Sequence, residues 1–254
     1  MLSHDLARRH DGRFVLRVED IDTTRCRAAY VDAILDDLRW LGIGWDTLDI
    51  QTDHAAEHAA ALDRLRAMGL IYACTCTRAE IAASTSAPQG DAGPIYPGTC
   101  RGRADAPEGA AWRLDVAKAA ALTGPLDWAD ADGGFVAADP LAGGDVVLAR
   151  KGLSVAYHLA VVVDDAAAGV THVVRGADLF GATHIQRLLQ ALLDLPAPHY
   201  CHHPLIAGPD GKRLAKRTPG ATLADLRAAG ADPAALCDDL RVQRLPVGFG
   251  WVRA

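Results

Sequence analysis

The sequence predicts an α/β fold of the doubly wound, Rossmann type, interrupted by an insertion. Two apolar runs, at 156–163 and 171–174, have the composition of strands buried on both faces. Nearer the start, an apolar strand at 14–18 precedes a segment with apolar residues at helical spacing, and such alternation is typical of a parallel sheet covered by helices. Between these halves, residues 84–110 are rich in Ser, Gly, Pro and Asp, which indicates a loop that breaks the pattern.

The first half is predicted to contain one strand with a helix on each side and a further helix beyond. Acidic residues, of which Glu19 is the first, follow the strand, and Thr23 or Thr24 is placed to cap the next helix. By itself, an acidic strand end is explained by helix capping as well as by a ligand site. The predicted helices span 2–10, 31–41 and 53–68.

Composition limits the classes of protein to consider. The chain has 254 residues, half of them hydrophobic, so it can bury a substantial core. A formal net charge of -6 argues against binding nucleic acid over the whole surface, although the basic residues cluster locally. There is no signal-peptide pattern, and no apolar run approaches the roughly 18 residues of a membrane helix. We therefore expect a cytoplasmic protein, without a membrane partner and monomeric.

Three of the six cysteines form a candidate metal site. Cys74 and Cys76 are separated by one residue, and Cys100 lies in the polar loop that follows. Thiols stay reduced in the cytoplasm, where a cysteine cluster more often binds a metal than forms disulfides. Thiolate sulfur suits Zn²⁺, which takes four ligands. The alternative is a set of unrelated buried thiols, and spacing alone does not choose between the two.

Charged residues at the ends of the second-half strands are candidates for a ligand site, because ligands of open parallel sheets bind beyond the carboxyl ends of the strands. Tyr157 belongs to the first apolar run, Asp164 and Asp165 end it, and Arg175 and Asp178 follow the second. The alternative is that the paired aspartates cap a helix.

The last third of the chain is predicted to contain a helix, a final strand and a helical tail. Thr183-x-x-Gln186 has the spacing of a capping box, as do Thr77-x-x-Glu80 in the insertion and Thr222-x-x-Asp225 in the tail. The final strand is expected at 199–206. A glycine-flanked basic loop at 208–217 follows, suited to the charge of a triphosphate, although a solvated basic turn explains it equally well.

Several of these motifs together resemble the class I glutamyl-tRNA synthetases. The matching residues are Gly152, Leu153, Tyr157, Val161 to Asp165, Gly169, Thr171, His172, Val174, Arg175 and Gly176. The phrase from Arg17 to Arg25 matches as well. The continuation Arg-Gly-Ala-Asp-Leu at 175–179 is closer to the glutamyl-queuosine tRNA(Asp) synthetases of that family. The resemblance covers essentially the whole chain and implies a class I synthetase domain of the Rossmann type.

The resemblance implies a reaction and a set of residues. Glutamate and ATP, which carries Mg²⁺, would form glutamyl-adenylate, and glutamate would then pass to queuosine in the anticodon loop of tRNA(Asp). Glu19 would hold the ammonium of glutamate, Tyr157 would line its pocket and Arg175 would pair with a carboxylate. Lys216, helped by Arg213, would neutralise the ATP phosphates. These two occupy the place of a Lys-Leu-Ser-Lys signature, here Arg-Leu-Ala-Lys at 213–216.

The resemblance also implies the zinc ligands and the organisation of the chain. In the glutamyl-queuosine relatives two cysteines, a tyrosine and a third cysteine bind zinc, and these carry over to Cys74, Cys76, Tyr96 and Cys100. The expected segments are the first half of the catalytic domain (1–72), the zinc-containing insertion (73–150), the second half with the basic loop (151–217) and a short helical tail (218–254).

The resemblance leaves two alternatives open. The first strand and the histidine motif of the family have no counterpart before Arg13. The expectation is that the start is misassigned and the cellular protein is longer, and the alternative is a non-catalytic, zinc-containing remnant that binds RNA or glutamate. A fragment of a discriminating glutamyl-tRNA synthetase is a further alternative. The short segment after the basic loop argues against that fragment, because it has no room for an anticodon-binding domain.

Overall fold

The computed structural model describes residues 1–22, 26–83, 89–90, 93–103, 105–131, 134–150, 155–208, 213, 222–245 and 249–252. The helices are α1 (Leu2–Arg9), α2 (Ala28–Trp40), α3 (Ala55–Ala67), α4 (Arg78–Ala83), α5 (Val116–Thr123), α6 (Tyr157–Ala167), α7 (Phe180–Leu192), α8 (Leu223–Ala228) and α9 (Pro233–Arg241). The strands are β1 (Val15–Val18), β2 (Thr47–Ile50), β3 (Ile71–Cys74), β4 (Gln89–Gly90), β5 (Gly93–Pro94), β6 (Ala111–Leu114), β7 (Asp127–Asp130), β8 (Gly134–Ala137), β9 (Val147–Ala149), β10 (His172–Gly176), β11 (His199–His203), β12 (Leu205–Ala207) and β13 (Gly250–Val252).

Parallel pairing confirms the predicted α/β class. Strands β1 and β2 pair in parallel, with a helix between them in the chain. A second sheet has the order β10-β11-β7-β8, in which β10 pairs in parallel with β11, and β11 in parallel with β7. The β7–β8 hairpin, which lies between the two halves in sequence, thus extends the sheet of the second half. Strands β3, β6 and β9 form a separate antiparallel sheet that leads into the cysteine cluster.

One hydrophobic core joins residues from distant parts of the chain. Its fully buried members include Leu65 of α3, Leu114 of β6, Leu148 of β9, Leu159 of α6 and Leu188 of α7. Burying one such leucine contributes about 1.5–3 kcal/mol before conformational entropy is counted. The two halves and the segment between them therefore pack into the same core.

The predicted strand at 156–163 is wrong, because these residues form most of helix α6. The run is apolar on all sides, and Leu159, Ala160, Val161 and Val162 are all buried in the helix. A short apolar run has the same pattern in a buried strand and in a buried helix, so periodicity cannot separate the two. Because the helix continues to Ala167, the pair of aspartates lies inside it and neither caps a following helix.

Two further local predictions differ from the structure. Thr183 is not a cap, because α7 already begins at Phe180 and the threonine hydroxyl bonds to the carbonyl of Leu179 one turn earlier. The strand predicted at 199–206 divides at Pro204, which cannot donate to a ladder, and β13 pairs with its second part, so it is not the final strand. The other two capping boxes are confirmed by hydrogen bonds between Thr77 and Glu80 and between Thr222 and Asp225.

Some predicted features fall on the margins of the described ranges. Helix α2 begins at Ala28 with Arg27 at its N-cap, and Thr23 and Thr24 lie outside the described residues.

Of the helices within the described ranges, none has both the length and the apolar character needed to cross a membrane.

Candidate functional site

The guanidinium of Arg175, near the end of β10, is held by neighbouring side chains. Its Nε donates to Nε2 of His202 over 3.2 Å, and its Nη2 donates to Oγ1 of Thr183 over 2.6 Å. Its central carbon lies 4.9 Å from the centroid of the Tyr200 ring, in a cation–π contact. These contacts fix both the position and the plane of the charged group.

His202 is itself oriented by an acidic residue from another part of the chain. Its Nδ1 lies 2.6 Å from Oδ2 of Asp130, and the two side chains are only 5% and 9% exposed. Burial lowers the pKa of His202, and the charge of Arg175 lowers it further, although Asp130 acts in the opposite direction. The imidazole is therefore neutral near pH 7. No motif or spacing in the sequence marks His202, Asp130 or Thr183 as a site residue.

Glu19 and Tyr157 lie within electrostatic range of Arg175. Glu19 follows the last residue of β1, and displacement of water by the surrounding protein raises the pKa of its carboxyl, while Arg17 opposes the shift. Tyr157 is the first residue of α6, and burial raises the pKa of its phenol. Arg175 acts on the pKa of both groups. The three side chains are thus close enough to influence one another electrostatically, and their roles toward a substrate stay a prediction.

The two aspartates of α6 make structural contacts. Asp164 is fully buried and accepts hydrogen bonds of 2.6 Å from both Nε2 of Gln51 and Nε2 of His58. Asp165 forms a 2.7 Å ion pair with Arg17, which also pairs with Asp49 over 2.8 Å. Asp164 therefore ties α6 to the start of α3, and Asp165 ties α6 to the β1–β2 pair.

The basic loop is described at one position. Arg213 is 59% exposed, its backbone bridges to Ala207, and its Nη2 lies 2.8 Å from Oδ2 of Asp178. Gly176 permits this arrangement, because a Cβ at that position would lie 2.4 Å from Oδ1 of Asp178. Lys216 lies outside the described residues, as do Gly152 and Leu153 of the resemblance motif.

The cysteine cluster has the dimensions of a tetrahedral zinc site. The sulfur atoms of Cys74, Cys76 and Cys100 lie within 4.8 Å of one another, with 3.6 Å between those of Cys76 and Cys100. The hydroxyl of Tyr96 lies 3.4 Å from the sulfur of Cys74 and 3.7 Å from that of Cys76. With Zn–S bonds of about 2.3 Å and a Zn–O bond of about 2.0–2.2 Å, the edges of the tetrahedron would be about 3.8 and 3.5 Å. The donor set therefore fits zinc.

The surroundings of the cluster favour the thiolate form of Cys100, whereas burial raises the pKa of Cys76. Burial acts against ionisation of Cys100, but hydrogen bonds from Tyr96 and from neighbouring groups outweigh it and lower the pKa of that thiol to about 6. The guanidinium carbon of Arg113 lies 3.9 Å from the centroid of the Tyr96 ring, and the backbone N–H of Cys100 donates to the Tyr96 oxygen over 2.8 Å. Both contacts hold the phenol oxygen toward the thiols.

Asp145 binds residues that flank the cysteines of the cluster. No motif in the sequence marks it for this role. Its carboxylate is 1% exposed and accepts hydrogen bonds from the hydroxyl of Tyr72, from Arg101 (2.7 and 3.0 Å) and from the backbone N–H of Val116 (3.0 Å). Tyr72 lies two residues before Cys74, and Arg101 directly follows Cys100. The preceding residue, Gly144, is the one local hint of a constrained position. Its φ is +62°, and a Cβ there would lie 2.4 Å from Ile95.

We predict that Asp145→Ala lowers the free energy of unfolding by about 3–5 kcal/mol, because it leaves the buried Tyr72 hydroxyl and the Arg101 charge without their acceptor. Urea unfolding, monitored by circular dichroism, measures the loss. Asp105→Ala is the matched control, since that aspartate pairs with Arg103 at the surface and its removal should leave the unfolding midpoint unchanged. Equal midpoints for the two variants would contradict the role of Asp145.

A cavity of about 720 Å³ lies next to the site. Strands β1 and β10 and helix α1 line it, together with Arg17 and Asp165. Glu19, Tyr157 and Arg175 are not among its lining residues. The cavity is therefore distinct from the group formed by these three side chains.

Comparison with known proteins places the chain among synthetases. Residues 1–246 match a family described as tRNA synthetases class I (E and Q), catalytic domain. A Glutamyl-Q tRNA(Asp) synthetase of Rhodobacter capsulatus is 47% identical over 249 residues, covering 92% of this chain and 90% of that protein. One of Symbiobacterium thermophilum is 44% identical, covering 89% and 75%. A glutamate–tRNA ligase of Oleidesulfovibrio alaskensis is 39% identical, covering 97% and 52%.

Solved structures show the same fold. A glutamate tRNA ligase from Elizabethkingia meningosepticum, in complex with its amino acid, superposes with a TM-score of 0.74 at 22% identity, covering 93% of this chain. A glutamate-tRNA synthetase from Elizabethkingia anophelis gives a TM-score of 0.68 at 22% identity, covering 85%. The chain spans 55% and 48% of the lengths of those two chains. At this identity the likeness concerns the fold.

Proposed function

The chain belongs to the class I tRNA synthetases of the glutamyl and glutaminyl group, and we propose that it activates glutamate with ATP and transfers it to queuosine in the anticodon loop of tRNA(Asp). The observation that carries the proposal is the 47% identity, over 92% of the chain, to a protein named Glutamyl-Q tRNA(Asp) synthetase. The contacts that orient Arg175 support it, because a fixed guanidinium within electrostatic range of Glu19 suits an amino acid that carries a carboxylate and an ammonium.

Glutamate would be held by charge and shape. The guanidinium of Arg175 would form a bidentate pair with one carboxylate, an arrangement that a planar fork of N–H donors favours. Glu19 would accept hydrogen bonds from the substrate ammonium, and Tyr157 would line the pocket between them. The pKa of the Glu19 carboxyl is raised without substrate. The arriving ammonium would therefore favour its ionised form.

Adenylation would proceed by positioning and electrostatics. A carboxylate oxygen of glutamate attacks the α-phosphorus of ATP, the P–O bond to the β-phosphate breaks, and pyrophosphate leaves with its electron pair. Lys216 and Arg213 would neutralise the phosphate charge, with Mg²⁺ bound to the triphosphate as part of the substrate. Asp178 holds Arg213 beside the end of β10 before ATP arrives. In the second step the modified base attacks the acyl carbon, and AMP leaves.

Zinc would be bound by Cys74, Cys76, Cys100 and Tyr96, and when bound it would stabilise the fold of this segment. The described segment around it is short of apolar residues, and its own small core consists of the cluster residues with Tyr72. As part of the proposal, residues 73–150 act as one zinc-containing insertion between catalytic halves at 1–72 and 151–217, followed by a helical tail at 218–254.

The test is glutamate-dependent exchange of pyrophosphate into ATP without tRNA, followed by transfer of labelled glutamate to tRNA. We expect exchange with glutamate and none with aspartate or glutamine. We then expect label on tRNA(Asp) that contains queuosine and none on the same tRNA with guanosine in its place. Label at the 3′ end of tRNA(Glu) would instead identify a discriminating glutamyl-tRNA synthetase. Absence of exchange, with glutamate or RNA still bound, would identify a binding protein.

A further inference from the structure

We propose that Asp130 and His202 are positioning residues that fix which edge of the Arg175 guanidinium is offered to the substrate, by holding the imidazole in a single tautomer. The proposal rests on the proposed role of Arg175 toward glutamate. It assigns to the β7–β8 hairpin, which carries Asp130, a part in the amino-acid site. Neither residue would touch the substrate, so both act through Arg175.

The acid–imidazole contact determines the tautomer. An ionised carboxylate only accepts hydrogen bonds, so the 2.6 Å contact between Oδ2 of Asp130 and Nδ1 of His202 places the ring proton on Nδ1. Nε2 then carries a lone pair, and this is the acceptor that Nε of Arg175 requires at 3.2 Å. With the proton on Nε2, two N–H donors would face each other across the same distance.

The contacts hold the edge of the guanidinium that carries Nε and Nη2. Nε bonds to His202, and Nη2 bonds to the Thr183 hydroxyl over 2.6 Å and to the Leu179 carbonyl over 3.4 Å. These contacts use Nε and Nη2 and none of them uses Nη1. A carboxylate that pairs with Nη1 and Nη2 would therefore meet the guanidinium at this end, where it would replace the long contact with the Leu179 carbonyl.

Strand register supplies the distances. Arg175 and His202 are direct partners in the parallel pair of β10 and β11. Tyr200 lies two residues before His202, so the two side chains share a face of the sheet, and their rings stack at 5.9 Å with 9° between planes. Asp130 is the residue of β7 that pairs with Tyr200. Pairing of β7 with β11 therefore places the carboxylate of Asp130 next to the imidazole of His202.

Burial favours one tautomer of His202 over the other. Asp130 and His202 are largely removed from water, so no solvent molecule replaces a lost acceptor at low free-energy cost. The nearby positive charge of Arg175 disfavours a second proton on the ring, which would turn Nε2 into a donor. The neutral tautomer with its proton on Nδ1 is thus the one that satisfies Asp130 and Arg175 together.

The kinetic test uses variants that remove or keep the side-chain oxygen at position 130 that accepts from Nδ1 of His202. Asp130→Ala should raise the KM for glutamate in pyrophosphate exchange by about 10- to 100-fold and leave the KM for ATP within about twofold. Asp130→Asn keeps an amide oxygen that can accept from Nδ1 and should recover most of the loss. Asp127→Ala is the matched control, since Asp127 begins the same strand and is exposed. Melting temperatures of all variants identify any that fail to fold.

A double-variant cycle separates positioning from simple loss of structure. His202→Gln places a carbonyl oxygen close to the position of Nε2, and this acceptor does not depend on a tautomer. In a His202→Gln background, Asp130→Ala should therefore change the KM for glutamate by less than about threefold. An unchanged effect of Asp130→Ala in that background, or an effect equal to that of Asp127→Ala, would overturn the proposal.

The tautomer can be measured without any substrate. In ¹⁵N-histidine-labelled protein near pH 7, long-range ¹H–¹⁵N correlation spectra should show the proton of His202 on Nδ1, with the signal assigned by its loss in His202→Gln. In Asp130→Ala the fraction of rings with the proton on Nε2 should rise, because Nδ1 has lost its acceptor and the Thr183 hydroxyl, 3.2 Å from Nε2, can accept a hydrogen bond from a proton there. Finding it on Nε2 in the unmodified protein would overturn the proposal. If the protein exchanges no pyrophosphate, the proposed function fails, and this spectrum still decides whether Asp130 sets the ring.

Discussion

Replacing Arg175 by alanine is expected to lower kcat/KM for glutamate in pyrophosphate exchange by about 100- to 1,000-fold. The substrate carboxylate would lose a charged, bidentate partner, and truncating such a pair in a desolvated site costs about 2–5 kcal/mol. His202 and Thr183 would also lose the donor that they accept from. Steady-state exchange rates at varied glutamate and saturating ATP measure the effect.

Two further variants define what the loss means. Arg175→Lys keeps the charge but not the planar fork, so most of the loss should remain. Arg244→Ala removes an exposed arginine that pairs with Asp239 at the surface and should leave kcat/KM unchanged. A loss for Arg175→Ala that appears equally in the KM for ATP, or one that lysine fully restores, would contradict glutamate recognition by this guanidinium.

Replacing Cys100 by serine is expected to abolish zinc binding and to destabilise the chain strongly. Removing one of four ligands exposes the remaining thiols to water and to competing chelators, and structural zinc supplies on the order of 10 kcal/mol to the folding of small elements. Elemental analysis after dialysis should find about one zinc per chain in the unmodified protein and much less than one in the variant. Thermal unfolding should begin at a lower temperature.

Controls distinguish ligand loss from loss of any thiol. Cys26→Ser removes a cysteine outside the cluster and should keep the metal. Tyr96→Phe keeps the ring over which Arg113 stacks but removes the oxygen, so zinc should still bind, with lower affinity. With Co²⁺ in place of zinc, its visible absorption should change in that variant. A full zinc content in Cys100→Ser, or an unchanged cobalt spectrum in Tyr96→Phe, would contradict the assigned ligand set.

Local interactions were predictable from sequence, whereas contacts between distant residues were not. The capping boxes at Thr77 and Thr222 are confirmed because both partners lie three residues apart. The parallel class followed from the alternation of strands and helices. The stretch at 156–163 is a helix where the sequence predicts a strand, because a run buried on all sides has no period that separates the two.

The residues of the candidate site likewise divide into those marked by a local pattern and those brought together from distant parts of the chain. The three cysteines are recognisable in the sequence because they fall within 27 residues and match the zinc ligands of the resembling family. Asp130 and His202 are 72 positions apart, and their contact depends on a hairpin that pairs with β11. Asp145 likewise bonds to Tyr72 across 73 positions. No local pattern marks an aspartate that becomes buried only when remote strands meet.

The larger core has a thermodynamic consequence. Leu65 precedes the cysteine cluster in the chain and Leu114, Leu148 and Leu188 follow it, yet they exclude water together. We expect the chain to unfold as one cooperative unit, so zinc and glutamate, if each binds only the folded form, are linked ligands that add to the same unfolding free energy. Removing the metal would then lower the stability of the fold that forms the amino-acid site, without any change of shape passing between them.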